Sequence, residues 1–305
     1  MTVRIGTNPI GWSNDDLPEL GGETPLETCL AEAREAGFAG IELGNKFPRE
    51  AAALTPVLDR FGLALVSGWY GSALRHRTVD EEIAAVEAHL SLLHAMGCGV
   101  MVFAETSDAV HGRRDTPLSR RPVMTDSEWP VFGERLTAIA EHLRSRGVRM
   151  AYHHHMGTVV ETEDEVDRLM SVTGEAVGLL LDTGHLTYAG GDPAAIARRH
   201  AGRIAHVHCK DVRAGILRQV LSRDASFLDA VIEGVFTVPG DGSVDFAEAL
   251  RPLGAAGYNG WLVVEAEQDP AKAHPLTYAR LGYRNLRRFA EEAGLSPEGE
   301  ALSAR

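Results

Sequence analysis

Eight short apolar, β-branched runs alternate with longer helical patterns from one end of this 305-residue chain to the other. The runs occupy residues 3–7, 40–43, 63–66, 100–104, 149–153, 177–181, 204–207 and 260–264, and each stands before a helix. That order predicts βα units and a parallel sheet, which must be covered on both faces. A doubly wound sheet and a closed (β/α)8 TIM barrel both meet the requirement, and eight units in a chain of this length favour the barrel. The expectation is one α/β catalytic domain over residues 1–295, followed by a frayed tail over 296–305. A doubly wound nucleotide binder would carry G-x-G-x-x-G after its first strand; this turn reads Gly6-Thr-Asn-Pro-Ile-Gly-Trp12. No Walker, H-E-x-x-H or G-x-S-x-G motif occurs either, so no nucleotide cofactor is indicated.

Helix punctuation agrees with this order. Thr24-Pro25, Asp192-Pro193 and Asp269-Pro270 each put a capping side chain ahead of a proline at the first helical position. Thr125-x-x-Glu128 and Thr162-x-x-Glu165 read as capping boxes. Gly37, Gly62, Gly97, Gly147 and Gly257 each follow a helical stretch, where a left-handed terminating residue is wanted. Two connections, 107–124 and 213–241, are too long for plain turns. Both follow strands, which in a barrel places them over the active-site face.

Charge narrows the partners. The chain carries 30 basic and 43 acidic side chains, a formal net charge of −13. A surface of that sign repels nucleic acid and anionic membrane and leaves small molecules as the expected ligands. Cys29, Cys98 and Cys209 are scattered, with no C-x-x-C pair, and read as reduced thiols of a cytoplasmic protein. No signal-peptide segment is visible at the N-terminus, and no run reaches the roughly 18 apolar residues of a membrane span. A homo-oligomer is compatible with the composition.

In a barrel, the C-terminal ends of the strands build the active site. Here they offer Asn8, Glu42, Trp69, Glu105, His153-His154-His155, Asp182 with His185, His206, His208, Lys210 and Asp211, and Glu265 with Glu267. Taken singly, each has an ordinary explanation as a helix cap, an arginine partner or a hydrogen-bonded core histidine. Convergence changes the weighing. Asp182, His208 and Glu265 each close an apolar run, so in a closed barrel they project toward one another at the mouth. Two buried carboxylates there need compensation, which a divalent cation supplies. Side chains alternate along a strand, so His153 and His155 share a face while His154 points toward the helices. His153 is read as the fourth ligand and His155 as its neighbour or a substrate contact. Two imidazoles with two carboxylates suit Mn²⁺, Co²⁺, Zn²⁺ or Fe²⁺ better than Mg²⁺ or Ca²⁺.

The pieces Leu181-Asp-Thr-Gly-His185, His206-Val-His-Cys-Lys-Asp211 and Glu265 resemble the xylose isomerase-like barrel superfamily of sugar isomerases, epimerases and endonucleases. In that superfamily a Glu, Asp, His, Glu set binds one divalent metal. The finer resemblance is to the inosose dehydratases, and it runs from Gly6 to about Leu295. It is carried by Gly6-Thr-Asn-Pro-Ile-Gly-Trp-Ser13, Phe103-Ala-Glu105, His111-Gly112, Tyr152-His-His-His-Met-Gly-Thr158, Phe227-Leu-Asp-Ala-Val231, Phe236-Thr-Val-Pro-Gly-Asp-Gly242 and Val264-Glu-Ala-Glu-Gln-Asp-Pro270. The triple histidine and the last of these runs are the specific parts. The resemblance implies a lyase of inositol catabolism that dehydrates a cyclic polyol ketone, scyllo-inosose (2-keto-myo-inositol), to a trihydroxycyclohexane-1,2-dione. It also implies Mn²⁺ or Co²⁺ as the metal and, in some members, glutathione. One position departs from the wider superfamily: His153 stands where epimerases carry a glutamate, so the pair of metal-bound glutamates that serves epimerisation is incomplete.

Dehydration asks for one base at the α-carbon and one acid at the departing β-hydroxyl, each worth a factor of roughly 10²–10⁴ in rate, with the metal as Lewis acid toward the ketone. Glu265 is read as the base, with His155 as the alternative. Lys210 is read as the oxyanion stabiliser or acid, against an ordinary ion pair with Asp211. His185 is expected to orient a ligand or hold a substrate hydroxyl, and Asn8, Glu42 and Trp69 to contact the polyol. The rival from another reaction class is a metal-dependent ketose 3-epimerase or sugar isomerase on the same barrel. An endonuclease has only the basic cluster Arg113-Arg114 with Arg120-Arg121 in its favour.

Overall fold

The computed structural model describes residues 2–298. Eight parallel strands close into a ring: β1 (Thr2–Thr7), β2 (Gly40–Leu43), β3 (Ala64–Ser72), β4 (Val100–Glu105), β5 (Arg149–His153), β6 (Val177–Asp182), β7 (Ile204–Cys209) and β8 (Trp261–Val264). They follow one another around the ring in chain order, and β8 pairs back onto β1 from Arg4↔Trp261 to Thr7↔Val264. The predicted (β/α)8 barrel is the observed fold. Every residue of β6 and β7 is buried, as continuous apolar runs covered on both faces require.

The main apolar core lies outside the ring, between sheet and helices, and includes Leu30, Phe38, Leu136, Leu250 and Leu286. Two small groups fill the barrel itself: Val102, Ala151, Leu180 and Ala205 in one, Val66, Trp261 and Val263 in the other. The Trp261 ring needs space at the β1–β2 side, which explains Gly40. A Cβ there would come within 2.8 Å of both Trp261 and Val66.

Helix ends match the sequence reading in part. All five predicted terminating glycines have φ between 62° and 105°. Asp192 caps Ala194 N ahead of Pro193, and Thr162 with Glu165 forms a full capping box. Three expectations are corrected. The helix Leu26–Ala36 has Pro25 at its N-cap with no side-chain cap, so Thr24 plays no such part. Asp269-Pro270 opens a turn, and the helix begins later, at Pro275. Thr125 donates to Glu128, but the N-cap of that helix is Ser127, so the reciprocal box does not form.

The connection 213–241 holds two helices, Ala214–Ser222 and Phe227–Ile232. Together with 107–124 it builds a second apolar cluster containing Val110, Leu118, Tyr188, Phe227, Val231 and Phe236. This cluster roofs the C-terminal end of the ring. The basic cluster is largely consumed by acids: Arg114 meets Asp229 at 2.7 Å, and Arg121 meets Glu161 at 3.3 Å and Glu165 at 2.8 Å. At the C-terminus, where fraying is expected from residue 296, Ser296–Pro297 pairs in parallel with Thr2 and Val3. Residues 299–305 lie outside the described part of the chain. No helix among the described residues is long and apolar enough to cross a membrane.

Candidate active site

Strand alternation aims the site. His153 stands two residues beyond Ala151, Asp182 two beyond Leu180 and Glu265 two beyond Val263, each sharing the face of an interior residue. His153, Asp182, His208 and Glu265 all offer ligand atoms within 4.8 Å of one another, and all four are buried. His153 Nε2 lies 3.2 Å from His208 Nδ1 and 3.5 Å from Asp182 Oδ2. His208 Nδ1 is 3.6 Å from Asp182 Oδ2 and in close contact with the Glu265 carboxylate. Asp182 divides its labour: Oδ1 caps the next helix by accepting from Gly184 N and His185 N, both at 2.8 Å, while Oδ2 is buried without a hydrogen-bond partner.

The donor set fits a divalent cation. Burial opposes a charge on His208, but the carboxylates of Glu265 and Glu42 outweigh it and push its pKa well above the ordinary value. Asp182 Oδ2 and the Glu265 carboxylate both face Nδ1, where a cation would answer their charge. The other side of the ring is already committed, since His208 Nε2 donates to Glu42 Oε1 at 3.2 Å. That carboxylate–histidine pairing sets the tautomer that leaves Nδ1 free to ligate.

Glu42 is thus more than a polyol contact. Its Oε1 also accepts from Ser67 Oγ at 2.6 Å and His206 Nε2 at 2.9 Å, and its Oε2 accepts from Asn8 Nδ2 at 2.7 Å. Burial raises its pKa, but His208 and His206 outweigh that and hold the carboxylate well below the usual range. Asn8 is equally committed, with Oδ1 accepting from Ile10 N at 2.9 Å. Glu42→Gln is expected to weaken divalent metal binding about 10–100-fold, read by chelator competition.

Lys210 is fully buried. Its Nζ donates to His185 Nε2 at 2.9 Å and lies 3.3 Å from both Glu265 Oε1 and Glu267 Oε2, and 3.8 Å from Asp182 Oδ2. Burial works against its charge, yet Glu265, Glu267 and Asp182 raise its pKa above the ordinary lysine value. The alternative pair with Asp211 does not form. That carboxylate instead accepts from the backbone N–H groups of Val212, Gly240, Gly242 and Val244 and shapes the 213–241 connection. Gly184 has a packing reason as well, because a Cβ there would come within 2.5 Å of the Lys210 stem.

His155 Nδ1 donates to Met156 O at 2.8 Å, so Nε2 keeps its lone pair, 3.9 Å from Glu267 Oε1. Burial, then His111 and His153, hold its pKa well below the usual value, and burial with His155 and Lys210 does the same for His185. Burial, followed by Lys210 opposing it, leaves Glu267 raised to about 7; Glu265, despite burial, is lowered to about 2 by His208 and Lys210. His185 packs on Lys210 and Phe227 instead of reaching the pocket. His154 faces away, its Nε2 accepting the Asp182 backbone N–H at 3.3 Å. Glu105 is structural, accepting from Ser107 N, Leu74 N and Ser72 Oγ.

The pocket above these groups measures about 190 Å³ and is lined by Asn8, Glu42, Trp69, His155, His208, Glu265 and Glu267 among others. Trp69 stands at its rim, 39% exposed, edge-on to His153 and His155. Asp15, Asp16, Asn45 and Arg49 also line it, and the sequence reading missed all four. They lie in loops after β1 and β2, where no strand-end periodicity marks them.

Residues 30–289 match the profile of the family described as xylose isomerase-like TIM barrel. The chain belongs to that family. Within it, the sequence is 57% identical over 294 residues to the rhizopine catabolism protein MocC of Rhizobium meliloti, covering 96% of this chain and 90% of that protein. It is 46% identical over 279 residues to an inosose dehydratase of Geobacillus thermodenitrificans, covering 91% and 94%. Among solved structures, an L-ribulose 3-epimerase superposes with a TM-score of 0.64 at 20% identity, covering 95% of this chain and 97% of that one. At that identity the likeness is one of fold.

Proposed function

We propose that this chain is a metal-dependent lyase of inositol catabolism that dehydrates scyllo-inosose to a trihydroxycyclohexane-1,2-dione. The observation that carries the reading is the buried His153, Asp182, His208 and Glu265 cluster beside Lys210, in a chain so similar to inosose dehydratases. Those four residues would hold the cation, which as Mn²⁺ or Co²⁺ would act as a Lewis acid toward the substrate ketone. His155 removes the α-proton. Its Nε2 is unprotonated and lines the pocket, whereas both Glu265 oxygens are engaged, Oε2 by His208 and Oε1 by Lys210. Lys210 lies behind the pocket-lining Glu265 and Glu267 and offsets negative charge developing in the pocket, while the β-hydroxyl takes the proton of a protonated Glu267 and leaves as water. Trp69 walls one side of the ring-shaped substrate and Asn8 keeps Glu42 in place. The reaction changes no overall oxidation level, so its balance needs no glutathione.

Incubating the metal-loaded protein with scyllo-inosose tests this. A dehydratase releases one water per turnover and creates a dione absorbing in the near ultraviolet, whereas a 3-epimerase or isomerase yields a product of unchanged mass. The 57% identity to MocC favours one second reading, a step of rhizopine catabolism. Running the same assay with a rhizopine in place of scyllo-inosose separates the two by which compound is consumed.

A further inference from the structure

Beside the four-residue cluster lies a second group able to hold a cation. His155, His185 and Glu267 offer ligand atoms within 4.8 Å of one another, and all three are buried. One end of Glu265 points at each group, with Oε2 toward His208 and Oε1 toward Lys210. The position between Glu265, Glu267 and His185 is not vacant, because the Lys210 ammonium sits there, 2.9 Å from His185 Nε2 and 3.3 Å from each glutamate.

We propose that Lys210 is a built-in cation filling what would otherwise be a second metal position, and that it thereby keeps this centre mononuclear. The inference rests on the metal-dependent reading above. Asp182, Glu265 and Glu267 bring up to three negative charges to the two cation positions, while Glu42, on the far side of the His208 ring, is held by Asn8, Ser67 and His206. One divalent cation and one ammonium match them, without the like-charge repulsion that a second divalent ion would add beside Lys210. An ammonium also has hydrogen-bonding protons to satisfy several acceptors at once, and here two carboxylates and an imidazole surround it. Removing the side chain leaves His185, Glu265 and Glu267 around the position the ammonium held, with His155 Nε2 3.9 Å from Glu267 Oε1, a mixed nitrogen and oxygen set of the kind first-row divalent metals prefer.

The test counts metal and does not depend on turnover. The full chain is stripped with chelator, loaded with Co²⁺ or Zn²⁺ alone, desalted and analysed for metal per chain, with circular dichroism verifying the fold. The parent is expected to hold one equivalent, Lys210→Ala two, and Lys210→Met one, since the methionine stem refills the space. Adding Glu267→Gln to Lys210→Ala should return the count to one. A folded Lys210→Ala protein that still holds one equivalent or none overturns the inference while leaving the mononuclear reading intact. So does a parent that already holds two. A parent that binds no metal removes the proposed function itself, and the two failures are thereby distinguishable.

Discussion

Asp182→Asn is expected to yield a folded barrel that no longer retains divalent metal and whose kcat/KM for dehydration falls on the order of 10²–10³-fold or more. The carboxylate serves two purposes at once. Oδ1 caps the helix Thr183–Tyr188, and asparagine keeps an acceptor there; Oδ2 is the buried, unpartnered oxygen aimed into the cluster, and asparagine removes its charge. Asp182→Ala loses both and should be less stable than Asp182→Asn by about 1 kcal/mol, the usual cost of a missing N-cap. Metal analysis, circular dichroism and a thermal melt of the two variants separate the roles. Full metal content and turnover in Asp182→Asn would mean that the cation lies elsewhere.

Lys210→Met should retain one metal per chain and lose about 10²–10⁴-fold in kcat, with KM little changed, because the ammonium acts on charge that develops during the reaction. Stability shifts in a diagnostic way too. Taking away one partner of a buried ionic group leaves the other charges uncompensated, at a cost of about 3–5 kcal/mol. The variant should therefore melt well below the parent, both when the two are metal-free and when each holds its single cation. An unchanged kcat would remove Lys210 from the chemistry.

Much of this architecture is legible in the chain because the βα alternation is strong and glycines mark the helix ends. The departures have local causes. β3 continues to Ser72, past the expected end at residue 66, because Trp69-Tyr-Gly-Ser72 pairs with β4 without forming an apolar run. The helix Ala214–Ser222 escapes notice because Arg213 at its N-cap makes no side-chain cap, and Phe227–Ile232 is only a turn and a half long. At the site, Asp182, His208 and Glu265 are visible because each ends a buried run. The hydrogen bonds joining Glu42 to His206 and His208 are not, since they link residues more than 160 positions apart and exist only once the ring has closed. The same holds for Lys210. Its neighbour in sequence, Asp211, is the obvious partner, yet the carboxylates it meets are Glu265 and Glu267, brought over by β8.

The most direct test of the whole account is turnover of scyllo-inosose by one preparation before chelation, after it, and after Mn²⁺ or Co²⁺ is returned, followed by near-ultraviolet absorbance and by metal content. Dione formation that disappears with the metal and comes back with it is the predicted result. Dehydration at an undiminished rate by protein shown to be free of metal would contradict it.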